Sequence, residues 1–261
     1  MIELISKISK GTKMDQIYIS KERLPGFEVG TTVLIKPIIE KMKTKPLYYN
    51  ISNIEPTKVI IIEEILNYFE YIDNVIITGS FLEKGFDFED IDVILITDKK
   101  IDNSNTEIRF KKRFGINVHI ISMDFKTLLK GINTDPLFQL MLSKFVSKKR
   151  VIFKTKNKIN YKLLDLHLLK SKALIDNFDF LAGKEKYKMT RNLFAISLFM
   201  DNKKINTEVI DNKINEHFGK NTVKNIKENL VEKDFLNKYK SSYNRIFNKI
   251  LDGIKNGSKQ K

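Results

Sequence analysis

Cysteine is absent from the 261 residues, which excludes a disulfide scaffold, a cysteine zinc site and a cysteine nucleophile. Histidine is nearly absent: His119, His167 and His217 stand far apart, against a histidine-rich metal cluster. No apolar run approaches the roughly 18 residues of a membrane-spanning helix. The first residues are a short mixed run broken by Glu3 and Lys7, unlike a signal peptide. The expectation is a cytoplasmic protein with no membrane partner. A Walker-type glycine loop and a GxGxxG before a helix are also missing, so a kinase and a dinucleotide oxidoreductase fit poorly. A Ser-His-Asp hydrolase fits no better.

What is present is 42% hydrophobic residues, enough for a sizeable core, and 30% charged residues. The net charge of +15 permits an anionic partner such as a nucleotide or RNA. The plainer reading is a lysine-rich bias of composition. Over 157–261 there are 22 Lys+Arg against 12 Asp+Glu, so +10 of that charge lies in the last part of the chain.

Three regions are expected. Residues 1–55 read as a small β-rich segment. Ile17, Tyr18 and Ile19 give a short strand signal, KERLPG (21–26) a turn, and Thr31 to Ile35 a β-branched run stopped by Pro37. This order is either a plain hairpin or resembles half of an AbrB-like swapped-hairpin domain. Residues 56–156 read as an α/β unit: a helix over 56–71 with Pro56 in its first turn, then strands over 74–78, 91–97 and 116–122. A helix near 124–129, another over 135–146 and a strand over 150–153 complete it. Residues 157–261 read as helices over 160–180, 185–200, 207–218 and 230–255, punctuated by Gly183, Asn202 and Gly219. The expected class is therefore α+β, a small mixed sheet followed by a helical bundle.

The chemistry-bearing stretch is Thr78 to Ile96, TGSFLEKGFDFEDIDVILI. Gly79-Ser80 closes one expected strand, nine residues follow, and Asp90-Ile91-Asp92 opens the next. Strand side chains alternate faces, so both carboxylates share one face. Two carboxylates at close range repel unless a hard divalent cation bridges them. Gly79 permits close backbone approach to a phosphate, and Ser80 adds a hydroxyl donor.

A hydrophobic residue, Gly-Ser, a short loop and then Asp-Ile-Asp-Val resembles the signature of the DNA polymerase β-like nucleotidyltransferases. Lys84-Gly85 stands where minimal members commonly carry a basic residue and Gly. The resemblance covers roughly 56–156. It implies that Gly79 and Ser80 hold a nucleoside triphosphate, that Asp90 and Asp92 bind Mg²⁺ or Mn²⁺, and that Lys84 touches a phosphate. It further implies transfer of a nucleoside monophosphate to an RNA 3′ end, a protein or a small molecule. The departure lies in the third strand, Ile116 to Ser122, which has no acidic residue where many members have a third carboxylate. Asn117 or His119 stands in its place, and His119 is a candidate ligand or base. A catalytically weak or inactive nucleotide-sensing or nucleic-acid-binding regulatory module is the alternative.

In two-domain members of that family a helical bundle builds the far wall of the cleft, which implies this role for 157–261. A HEPN ribonuclease needs an Arg followed a few residues later by His, and neither Arg191 nor the surroundings of His167 and His217 supply one. Lys184, Lys186, Lys188 and Arg191 are candidate contacts to RNA phosphates, although no clustered aromatic platform accompanies them in sequence.

Overall fold

The computed structural model describes residues 6, 8–23, 25–33, 45–99 and 101–258. The chain divides into two compact units, Met1–Met42 and Lys43–Lys261.

In the first unit, β1 (Ile8–Ser9) pairs antiparallel with β2 (Gln16–Ile17) in a short hairpin. The expected strand at 17–19 thus shrinks and shifts. Thr31, Thr32 and Val33 are not in a strand, and the remainder of that expected run lies outside the described residues.

The second unit begins with a five-stranded mixed sheet of order β3-β7-β4-β5-β6. Its strands are β3 (Leu47–Tyr49), β4 (Asn74–Thr78), β5 (Asp90–Ile96), β6 (Asn117–Met123) and β7 (Phe145–Ser147). Only β5 and β6 run parallel, because α2 (Asn103–Phe114) supplies the crossover a parallel pair requires. Asp102 caps α2 by accepting from the Ser104 N–H at 3.1 Å, and Gly115 ends it in the left-handed region at φ 68°.

Alternation along β5 sends its apolar residues to two cores. Ile91, Val93 and Leu95 pack on one face with Ile62, Ile65 and Leu66 of α1 (Pro56–Tyr68). Ile94 and Ile96 pack on the other with Leu128 and Ile132 of α3 (Phe125–Thr134) and with Phe145. The expected helix over 135–146 stops early: α4 spans Pro136–Met141, and Phe145–Ser147 is strand. Residues 150–153, expected as a strand, form none. All three residues of β7 are buried because both its neighbours are strands, and this central place went to 145–147.

The helices that follow are α5 (Tyr161–Asp176), α6 (Gly183–Met200), α7 (Thr207–Phe218), α8 (Thr222–Lys227) and α9 (Lys233–Ser258). Leu193, Ile196 and Phe199 of α6 are buried in a core shared with Leu164 and Leu168 of α5, Ile210 of α7 and Tyr239 of α9. Leu140 of α4 joins this core, so the sheet and the bundle are continuous. The fold is α+β, as expected. Among the described residues no helix is long and apolar enough to cross a membrane.

Candidate functional site

Burial at the start of β5 alternates as Asp90 half-buried, Ile91 buried, Asp92 half-buried, Val93 buried. Both carboxylates therefore lie on the face that carries Ile94, Ile96 and α3, as the sequence implied. β6 runs parallel beside them in a register that pairs Asp90 with Asn117 and Asp92 with His119. His119 Nδ1 lies 3.2 Å from Asp92 Oδ1. In the tautomer that donates from Nδ1, Nε2 keeps its lone pair on a ring that is more than half exposed.

Gly79 closes the third side. It sits at φ 89° and ψ −168°, a region that only glycine adopts without strain. A Cβ built there would overlap the Asp92 carboxylate. The backbone of the strand end is thereby pressed against the Asp92 carboxylate, which no other residue type allows. Ser80 opens a short 3₁₀ turn (Ser80–Leu82) and is exposed, and Lys84 is exposed beyond it.

Burial raises the Asp92 carboxyl above its ordinary range. The His119 hydrogen bond opposes that shift, the charge of Asp90 adds to it, and Lys188 of α6 is near enough for its ammonium to counter it. Two carboxylates on one strand face offer oxygen ligands of the kind Mg²⁺ or Mn²⁺ takes, while the Lys188 charge acts against a cation there. The third strand adds no acid, and among the described residues no group of three or more His, Asp or Glu is placed to hold a metal ion.

The loop between Gly79 and Asp90 is anchored from α1 by residues the sequence did not single out. Lys58 is fully buried; its Nζ donates to the Glu83 carbonyl at 2.6 Å and pairs with Glu55 at 3.1 Å. Phe81, Phe86 and Phe88 surround the ammonium at 5.4–5.6 Å. Glu55 accepts the Gly85 N–H at 2.5 Å, and this bond, with its own amide and Lys58, holds the carboxyl down to about 2. One signal was legible: a lysine at an apolar position of an amphipathic helix, four residues before Ile62.

Helix α6 faces the same loop. Lys184 pairs with Asp87, Lys188 acts on Asp92, and Tyr187 donates to Asp211 at 2.7 Å with the Glu83 charge nearby. Lys186 does not join them. It is buried, donates to Asn229 Oδ1 at 2.8 Å and sits 4.1 Å over the Phe178 ring. The expected stripe of four phosphate contacts is therefore split: Lys184 and Lys188 are exposed, Lys186 is internal, and Arg191 is half-buried beside Tyr187.

Among the sequence-derived candidates, Gly79, Asp90, Asp92 and His119 come together, while Ser80 and Lys84 line the exposed loop that follows. Comparison with known proteins found no match, neither a family model, nor a curated protein, nor a solved structure.

Proposed function

We propose that this chain is a polymerase β-like nucleotidyltransferase that moves a nucleoside monophosphate from an NTP to an acceptor hydroxyl. The observation that carries the reading is the close approach of Gly79 to Asp92, with Asp90 on the same strand face. A glycine-only backbone beside a half-buried carboxylate suits a phosphate cradle next to a metal site.

In this reading Asp90 and Asp92 hold the divalent cation, and Gly79 and Ser80 offer backbone and hydroxyl to the triphosphate. A bound Mg²⁺ or Mn²⁺ supplies charge neutralisation for the attacking and leaving oxygens. The acceptor oxygen bonds to the α-phosphorus, the bond from that phosphorus to the bridging oxygen breaks, and pyrophosphate leaves. His119, oriented through Nδ1 by Asp92, has Nε2 available to take the acceptor proton. Lys188 of α6, whose charge acts on Asp92, would offset charge on the departing phosphates.

A second reading is favoured by one observation: Asn117 and His119 stand opposite the aspartates where a third carboxylate would complete the set. On that basis the chain binds a nucleotide as a regulatory module without transfer. The test is incubation with each α-³²P-labelled NTP, Mg²⁺ or Mn²⁺ and pooled RNA, beside an Asp90→Ala/Asp92→Ala variant. Label on RNA or protein that disappears in the variant supports transfer. Metal-dependent nucleotide binding without label transfer supports the second reading, and absence of binding removes both.

A further inference from the structure

A cavity lies on the same sheet face as the aspartates, away from them. It encloses about 870 Å³ between the β3–β7 edge, α3, the segment 151–157 and the α6–α7 loop. Its chemistry is one-sided. Lys156, Lys203 and Lys204 line it, and among the described residues no Asp or Glu does. All three lysines are exposed.

Its walls also hold an aromatic stack. The Tyr49 and Phe145 rings lie 4.2 Å apart at 12°, and Phe153 continues the stack 6.4 Å from Phe145 at 25°. Phe145 is buried, whereas Tyr49 and Phe153 at the two ends are half-buried and face the cavity. The wall is fixed in shape. Gln139 Nε2 donates to Asn157 Oδ1 at 2.8 Å, Asn157 Nδ2 donates to the Phe199 carbonyl at 3.1 Å, and Val151 N–H donates to the Tyr49 hydroxyl at 3.0 Å. Apolar ring faces beside cations without acids suit a ligand that is both flat and anionic.

We propose that this cavity is a stacking site for a nucleotide unit, an aromatic base with its phosphate. The base stacks on Tyr49 or Phe153 at an end of the row, and Lys156, Lys203 and Lys204 take the phosphates. Such stacking tolerates any base, since every base has a π-face. The source is a single-stranded nucleic acid or a free mononucleotide, which share this chemistry. Position favours a link to the aspartates. Val146 pairs with Ile77, so Phe145 falls opposite Thr78, and Thr78 pairs with Asp92. Two strand spacings, roughly 10 Å, separate the Phe145 backbone from that of Asp92. The site goes beyond nucleotidyl transfer and does not require it.

The test measures fluorescence anisotropy of a short labelled oligouridylate with the full chain in EDTA, where no metal-dependent step contributes. Phe153→Leu should weaken binding by about tenfold. Lys203→Gln/Lys204→Gln, at exposed positions that leave the fold intact, should lower the slope of log affinity against log salt by about 0.7 per lysine. Lys220→Gln/Lys238→Gln, with the same charge loss outside the cavity, should change it far less. Displacement by unlabelled AMP assigns the site to a free nucleotide, and displacement only by oligomer assigns it to a strand. Equal losses in the two lysine pairs, an unchanged affinity in Phe153→Leu or no binding at all would overturn the proposal. Because metal and NTP are absent, failure here leaves the transferase reading standing, and failure of transfer leaves this site standing.

Discussion

Gly79 carries the most at the scale of single residues. Its backbone lies where an L-residue is strained by about 1–3 kcal/mol, and its missing Cβ makes room for Asp92. Gly79→Ala should lower thermal stability and remove metal-dependent nucleotide binding together. Retention of binding in a folded Gly79→Ala protein would show that the close approach has no role. Glu55 makes a different prediction. Its folded-state carboxyl is depressed to about 2 from 4.5, so its stabilisation is present above pH 4.5 and is lost as pH falls towards 2. Glu55→Gln should therefore be less stable than the wild type at neutral pH, with the two denaturation curves converging as the pH falls through that window. A difference that persists unchanged at the acid end would contradict the anchor. The aspartate pair was legible because strand alternation is a local rule, and the register of β5 obeyed it. The anchoring role of Lys58 and Glu55 was not, because their partners Glu83 and Gly85 stand 25 and 30 residues away in sequence.

Among the elements, those with dense apolar signals were read well. β4 coincides with the expected 74–78, and α7 with the expected 207–218. Helix α2 was missed because it is polar. Its Phe110 is buried, while Ile108 is 55% exposed, so no apolar stripe marks it. β7 was absorbed into a helix because FQLMLSKFV continues an apolar run that only pairing with β3 and β4 interrupts. Helix α6 shows the opposite limit: its periodicity was clear, yet the burial of Lys186 depends on Phe178 and Asn229 from other parts of the bundle. The start of α6 is also tightly set, since a Cβ on Gly183 would collide with the Ile226 and Lys227 carbonyls of α8. Gly183→Ala should destabilise by about 1–3 kcal/mol through overpacking and shift the α6 residues that face the site loop. Chemical denaturation reads the loss, and a wild-type midpoint would contradict this packing.

For the molecule as a whole, charge was legible in amount but not in placement. The net +15 could not reveal that the charge of Lys188 acts on Asp92, or that three lysines share a cavity with an aromatic stack. Both arise from the continuity of the sheet with the helices, which unites residues more than ninety positions apart. Burial and the neighbouring Asp90 raise the Asp92 carboxyl, so its contribution to metal-free stability is present below its unfolded value and lost as pH rises through the raised one. At neutral pH Asp92 is thus a destabilising charge in the free protein, relieved by a cation. The most direct measurement is Mn²⁺ binding by electron paramagnetic resonance with and without ATP, paired with the melting temperature of the metal-free protein. The wild type should bind Mn²⁺, more tightly with ATP, while Asp92→Asn loses that binding and melts higher without metal. Unchanged Mn²⁺ binding in Asp92→Asn, or a metal-free variant that melts lower, would contradict a cation site at Asp90 and Asp92.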